Sequence, residues 1–115
     1  MNISVELQTI AELHIKGLIG GEIDAFTAPI LREKLAEVTL QDNIHVELNL
    51  QDVSYMDSTG LGVFVGFYKS VIAANGHMEL TGLSSRLKRL FDITGLVEIM
   101  DIQARDEEVK IDETV

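Results

Sequence analysis

Cysteine is absent from the 115 residues. Without a thiol the chain has no disulfide, no thiolate nucleophile and no sulfur-ligated metal site. Basic side chains are scarce as well, because nine Lys and Arg stand against nineteen Asp and Glu, for a formal charge of −10. That charge has the wrong sign for neutralising phosphates or for adsorbing to an anionic membrane. We therefore expect no direct nucleic-acid binding and no membrane association.

Long apolar segments and targeting signals are missing too. The longest nearly apolar run, 60–74, is too short for a bilayer and contains Lys69. Met1 is not followed by the basic and apolar regions of a signal peptide, which makes the cytoplasm the expected compartment. The composition, 46% hydrophobic and 24% charged, is that of a globular protein. A chain of this length fits one domain.

Residue patterns that define common enzymes do not occur. His14, His45 and His77 each lie in a predicted strand, without the spacing that places two imidazoles on one helix face, so we interpret them as structural or surface residues. The glycine-rich segment 60–66 lacks the lysine and hydroxyl of a phosphate-binding P-loop. We expect no enzymatic activity, no catalytic residue, no metal site and no cofactor.

Hydrophobic periodicity predicts an alternation of strands and helices. The predicted strands are 3–8, 10–15, 43–50, 77–83 and 97–102. The predicted helices are 27–39, 58–72 and 84–95. Thr27 is the expected N-cap of the first helix, with Pro29 in its first turn. This order indicates an α/β sheet that is largely parallel after an opening hairpin, and the charged end of the chain, from about residue 106, is expected to form a frayed acidic tail.

Four glycines of the second helix region carry separate expectations. Gly62 and Gly66 are interpreted as positions of close helix packing, since small residues let backbones approach. Gly76 is expected to take the positive φ that ends this helix. Gly60 is expected at the exposed entrance of the helix.

The segment 52–62, DVSYMDSTGLG, places Ser58 where a strand is expected to become a helix. A serine at a helix N-terminus stabilises the helix by roughly 0.5–2 kcal/mol as a cap. The residues alone therefore leave a capping role and a functional hydroxyl equally open. Asp24 and Asp57 each lie at a predicted strand end, where parallel α/β sheets gather functional residues. Capping alone would explain either carboxylate.

The segment DVSYMDSTGLGVFVG, with GEIDAFTAPILREKL upstream and RLKRLFDITGL downstream, resembles the STAS-domain anti-sigma-factor antagonists of bacteria, in particular their general-stress-response branch. The resemblance extends over nearly the whole chain. It implies a single STAS domain over 1–115, with a mixed, mostly parallel β-sheet and packed α-helices. It also implies partner switching, in which the unmodified protein binds an anti-sigma factor that is a serine kinase and so frees the sigma factor for transcription.

Particular residues are implicated by the same resemblance. Ser58 matches the phosphoacceptor of the family, and its phosphorylation by the kinase would end binding until a PP2C-type phosphatase restores the hydroxyl. Asp24 matches an acidic residue on the adjoining loop. A phosphate would disturb a surface that includes the apolar side chains of Leu61 and Phe64. The expected partner-binding residues are Asp24, Asp57, Ser58, Thr59, Gly60, Leu61 and Phe64.

Two other functions remain open at this point. A small phosphocarrier protein would also be reversibly phosphorylated, but on a labile site such as an exposed histidine. A phosphorylatable STAS scaffold subunit of a stress-sensing complex would use the same domain, usually beside an additional sensor domain.

Overall fold

Strands and helices alternate along the chain in the computed structural model, which describes residues 2–104. The strands are β1 (Ile3–Ala11), β2 (His14–Ile23), β3 (His45–Met56), β4 (His77–Leu83) and β5 (Asp101–Ala104). The helices are α1 (Ala28–Ala36), α2 (Ser58–Ala73) and α3 (Ser85–Ile93), and a short 3₁₀ turn spans Leu96–Glu98. This order confirms the α/β prediction.

One mixed sheet contains the described strands in the order β1-β2-β3-β4-β5. β1 is antiparallel to β2, and every later neighbour pair is parallel. Alternation in β3 divides the sheet into two faces, because Val46, Leu48 and Leu50 are fully buried whereas the residues between them are partly exposed. The buried face belongs to one core with fully buried residues of the helices, such as Leu31 and Phe64.

The opening hairpin is longer than predicted. β1 continues to Ala11 and β2 begins at His14, so the turn lies at residues 12–13, where Leu13 has a φ of 63°. The prediction placed the break near residue 9 and ended the second strand at residue 15. Instead, Gly17 lies inside β2 beneath the side chains of Leu7 and Leu48, where an added Cβ would be 2.9 and 2.8 Å from them.

The first helix starts as predicted, but without the expected cap. Thr27 occupies the N-cap position, yet its hydroxyl donates to the carbonyl oxygen of Glu22 at 2.7 Å instead of capping the helix. Pro29 lies in the first turn, as predicted. The helix ends at Ala36, three residues before the predicted end, and the last strand begins later than predicted because the 3₁₀ turn occupies 96–98.

Three glycine predictions for α2 are wrong. The positive φ after this helix belongs to Asn75, at 58°, while Gly76 is needed because a Cβ there would lie 2.5 Å from the Ile44 carbonyl oxygen. An added Cβ at Gly62 or Gly66 would meet no atom within 4 Å. Both residues face open space, so neither mediates close helix packing.

Three expectations concern absences or the end of the chain. Within residues 2–104 no helix is both long and apolar enough to cross a bilayer. The same residues contain no group of three or more His, Asp or Glu side chains arranged to hold a metal ion. The expected acidic tail, from about residue 106, lies outside the described residues.

Candidate partner-binding site

The carboxyl ends of β2 and β3 form the candidate site. Ile23 and Met56, the last residues of these parallel strands, are paired in the register. The next residue in each case is an aspartate, and the backbone N–H of Asp57 donates to the Ile23 carbonyl oxygen at 3.2 Å. The two loops that carry Asp24 and Asp57 therefore meet at one edge of the sheet, as the sequence predicted.

Asp57, and not Ser58, caps α2. The Asp57 Oδ1 accepts from the backbone N–H of Thr59 at 2.9 Å and from that of Gly60 at 3.3 Å, while its own backbone is extended. Ser58 is the first residue of the helix and is exposed, as is Thr59. The capping interpretation of Ser58 is therefore wrong. Its side chain is exposed to solvent at a position where the helix dipole favours an anion.

The loop after β2 is ordered by Asp24. Its Oδ1 accepts from the backbone N–H groups of Phe26 and Thr27 at 2.9 and 3.0 Å. Thr27 completes the turn, because its hydroxyl accepts from the Asp24 N–H at 2.9 Å. Asp24 is half-buried, so it fixes the shape of the loop and still exposes part of its carboxylate.

Gly60 is buried, which corrects the prediction of an exposed helix entrance. A Cβ at this position would lie 2.4 Å from Cγ2 of Ile23 and 3.0 Å from Cγ of Met56. Only a glycine lets the first turn of α2 approach the ends of β2 and β3 this closely. Gly60 thus sets the position of the Ser58 hydroxyl relative to the Asp24 loop.

Leu61 and Phe64 lie in the core. Leu61 is 6% exposed and Phe64 is 0% exposed. The prediction that their side chains line the surface around Ser58 is therefore wrong in this structure. A helix whose residues are nearly all apolar does not reveal from sequence which of its faces is covered.

Two exposed aromatic side chains lie close in sequence to the aspartates of the site and were missed by the sequence analysis. Phe26 is 77% exposed and Tyr55 is 49% exposed. Each lies two residues from an aspartate of the site, Phe26 after Asp24 and Tyr55 before Asp57. Aromatic residues are rare in this chain, which has four Phe and two Tyr, so two of them so close to the aspartates could have been noticed in the sequence.

No imidazole lies near Ser58. The three histidines of the chain are the first residues of β2, β3 and β4, at the opposite end of the strands. The site therefore offers an exposed hydroxyl, two carboxylates and two aromatic side chains. Such a set can accept a phosphoryl group from an external donor and contact a protein partner, whereas an activated nucleophile would need an adjacent base.

Comparisons with known proteins agree with this geometry. The STAS domain family model matches residues 12–114. The anti-sigma-B factor antagonist of Bacillus subtilis (strain 168) is 52% identical over 107 residues, which cover 93% of this chain and 96% of that protein. Its counterpart in Listeria monocytogenes is 48% identical over 103 residues, with 90% of each chain covered. Among solved structures, the Bacillus cell fate determinant SpoIIAA in its phosphorylated form has a TM-score of 0.67 at 23% identity, covering 97% of this chain and 100% of that chain.

The fold and the matched residues define a STAS-domain protein. Within that family, the chain belongs to the anti-sigma-factor antagonists, as the identity to two such proteins over most of its length shows. The resemblance inferred from the DSTG segment is confirmed at this level.

Proposed function

We propose that the unphosphorylated protein binds an anti-sigma factor that is also a serine kinase and thereby releases a sigma factor for transcription. The observation that carries this proposal is the exposed Ser58 hydroxyl at the start of α2, beside a cap supplied by Asp57. The names of the two relatives, both anti-sigma-B factor antagonists, support it and favour the general-stress-response branch. They also favour an antagonist over a phosphocarrier or a scaffold subunit. The proposed role is regulatory and not enzymatic.

Phosphorylation of Ser58 by the bound kinase is the proposed off-switch. A phosphate adds about −1.5 to −2 charges at neutral pH. The dipole of α2 stabilises this charge, but the Asp57 carboxylate at the same helix end repels it. Because Ser58 is exposed, the fold tolerates the group. A fold neighbour, SpoIIAA, has been solved in a phosphorylated form, which supports the compatibility of the fold with such a modification.

The proposed interface surrounds Ser58 and Thr59. Asp24 and Asp57 would supply negative charge, and Gly60 allows the close approach of the helix to the strands. The exposed rings of Phe26 and Tyr55 would supply apolar contact. A dianion in a surface suited to a neutral hydroxyl has to be desolvated next to carboxylates. If this costs about 3 kcal/mol, the affinity falls on the order of a hundredfold.

Reactivation requires a second partner. We assign this role to a PP2C-type phosphatase, which would hydrolyse the phosphate on the exposed residue. Because a sigma factor acts on RNA polymerase, the proposed function requires the cytoplasm. We further propose that the single STAS domain spans residues 1–115.

Incubation with the cognate anti-sigma kinase and ATP tests the proposal. We expect a mass increase of one phosphate, mapped to Ser58, together with loss of the complex in size-exclusion chromatography. The Ser58→Ala variant is the matched control and should form the complex without gaining mass. Absence of complex formation by the unphosphorylated protein would contradict the proposed function, and a phosphate mapped to Thr59 would contradict the assignment of the acceptor.

A further inference from the structure

An open groove of about 280 Å³ lies between the last residues of β3 and helix α3. Tyr55 of β3 and Ile93 of α3 line it, and these residues are 49% and 77% exposed. Arg86 and Arg89 line the same groove and are exposed as well. We call the groove between these four residues the α3 groove. Exposed apolar side chains bordered by charged ones are typical of a surface that contacts another protein.

The α3 groove is continuous with the Ser58 edge of the sheet. β2, β3 and β4 are neighbouring parallel strands, so the segments that follow them meet at one edge. Asp24 follows β2, Asp57 follows β3, and Ser84, which caps α3, follows β4. Met56, the residue before Asp57, also lines the groove. A partner that contacts Ser58 therefore has the α3 groove within its reach.

The two arginines of the groove have no internal counter-charge. Within residues 2–104, neither guanidinium forms an ion pair with a carboxylate. Lys88, which lies between them in sequence, pairs with Asp92 at 3.4 Å. The chain has nineteen Asp and Glu, so the lack of a carboxylate beside Arg86 and Arg89 does not result from a shortage of acidic residues. Both charges are available to a partner.

The position of Arg86 opposes the stability of its helix. α3 begins at Ser85, so Arg86 is the second residue of the helix, in the turn where the helix dipole favours negative charge. That turn contains no acidic residue that would offset the guanidinium. Helix stability therefore does not account for an arginine at this position, whereas contact with a partner does.

We propose that the α3 groove binds an acidic segment of the anti-sigma kinase. An apolar side chain of that segment lies between Tyr55 and Ile93, and its carboxylates pair with the two guanidinium groups. This inference rests on the proposed function, because the occupant is the partner that binds the Ser58 edge. Guanidinium groups bind carboxylates through two parallel hydrogen bonds and are weakly hydrated, so arginine is well suited to an ion pair at an interface.

The charge of the whole chain favours this occupant over a second copy. Two copies with a formal charge of −10 each repel one another. The same charge excludes an acidic segment from most of the surface and leaves the α3 groove as a place where it is attracted. Because Asp24 attracts a basic group at the other side of Ser58, the two attractions together fix the orientation of the kinase on the sheet edge.

Binding of the double variant Arg86→Gln/Arg89→Gln to the immobilised kinase, measured by surface plasmon resonance, tests the proposal. We expect the association rate to fall roughly tenfold at about 0.05 M salt and less at about 0.3 M, where charges are screened. The matched control Lys69→Gln/Lys88→Gln makes the same change in net charge outside the groove and should bind like the wild type. Ile93→Ala should raise the dissociation rate and leave the salt dependence unchanged.

Thermal melts without the kinase show whether the arginines serve the fold instead. We expect the melting temperature of Arg86→Gln/Arg89→Gln to equal or slightly exceed that of the wild type, since a charge that opposes the helix dipole is removed. A clear decrease would assign the guanidinium groups to contacts within this chain and overturn the proposal. Self-association of the wild type that the double variant abolishes would assign the groove to a second copy, with the same consequence.

The binding data separate this inference from the proposed function. A complex that the wild type and the arginine variant form at equal rates would overturn the α3 groove and leave the proposed function standing. An equal loss in the lysine control would show a dependence on net charge alone, which also overturns the groove. Absence of any complex with the wild type would overturn the proposed function and this inference together.

Discussion

The N–H of Asp57 donates to the carbonyl oxygen of Ile23 at 3.2 Å, and this bond joins the helix that carries Ser58 to the end of the strand that precedes Asp24. Asp57 thus acts in two directions, since its carboxylate also caps α2. The geometry around the proposed phosphoacceptor is therefore fixed by residues other than the acceptor. Substitutions at this edge of the sheet should therefore separate the residues that hold this geometry from those that use it.

Ser58→Ala should fold with nearly the stability of the wild type, because the cap of α2 is the Asp57 carboxylate and the lost hydroxyl is exposed. Phosphorylation should be abolished while kinase binding persists, so the sigma factor should remain constitutively active. Thermal melts, kinase assays with labelled ATP and a reporter gene would measure the three effects. Undiminished phosphate incorporation would move the acceptor to another residue, first of all Thr59.

Ser58→Asp and Ser58→Glu should weaken kinase binding, but less than phosphorylation does. Each introduces one negative charge near Asp57, compared with about two for a phosphate. Isothermal titration calorimetry against the kinase would give the affinities, with Ser58→Ala as the neutral control. Equal affinities for wild type and both acidic variants would rule out the electrostatic part of the switch.

Asp24→Asn should remove the negative charge of this residue while keeping the geometry of the loop. The Asn side-chain oxygen can still accept from the N–H groups of Phe26 and Thr27, so the turn should persist and the melting temperature should change little. Loss of the negative charge should weaken the kinase complex and slow phosphorylation of Ser58, because truncating one member of a charged pair at an interface commonly costs about 2–5 kcal/mol.

Asp24→Ala is the matched control for that prediction, since it removes both the charge and the turn. It should lower stability by about 1 kcal/mol in addition to weakening the complex. If Asp24→Asn binds the kinase as tightly as the wild type, Asp24 serves the loop alone.

Gly60→Ala and Gly62→Ala should have opposite effects on stability. The new methyl at position 60 would lie 2.4 Å from Cγ2 of Ile23, so the first turn of α2 has to shift and the protein should lose about 1–3 kcal/mol. At position 62 the methyl meets nothing within 4 Å, and the helix should gain roughly 0.5–1 kcal/mol. Urea denaturation of both variants would measure this, and a stabilised Gly60→Ala would contradict the close approach described here.

Phe26→Ala and Tyr55→Ala should each reduce affinity for the kinase by about tenfold or more, with little effect on folding, because both rings are exposed and each lies two residues from an aspartate of the proposed interface. Ile72→Ala is a suitable control, since Ile72 is 45% exposed but lies near the far end of α2. Surface plasmon resonance with the immobilised kinase would compare the three variants. A loss for Ile72→Ala equal to that for Phe26→Ala would place the interface elsewhere.

Much of the fold could be predicted because its signals are local. The alternation of Val46, Leu48 and Leu50 identifies β3, and Pro29 marks the start of α1. The second strand was predicted to end at residue 15, whereas β2 continues through Gly17 to Ile23, because the lack of a side chain at Gly17 lets Leu7 and Leu48 close over it. That contact joins residues that are distant in the chain, so no local sequence pattern indicates it.

The location of the site was predicted from the sequence, but the role of each residue in it was not. Strand ends followed by aspartates indicated the right edge of the sheet. The sequence did not reveal which of Asp57 and Ser58 caps the helix, because both residue types are good caps. Nor did it show that Phe64 points inward, since α2 is apolar on nearly every face and only the packed structure distinguishes its sides.

The cap supplied by Asp57 also bears on how often the protein can be used. Because the cap of α2 does not depend on the Ser58 hydroxyl, the proposed addition and removal of a phosphate would leave the scaffold intact, and successive cycles would need no refolding. In the proposed switch, the state of the protein would then be recorded by one surface group, and the kinase and the phosphatase would set how fast that state changes.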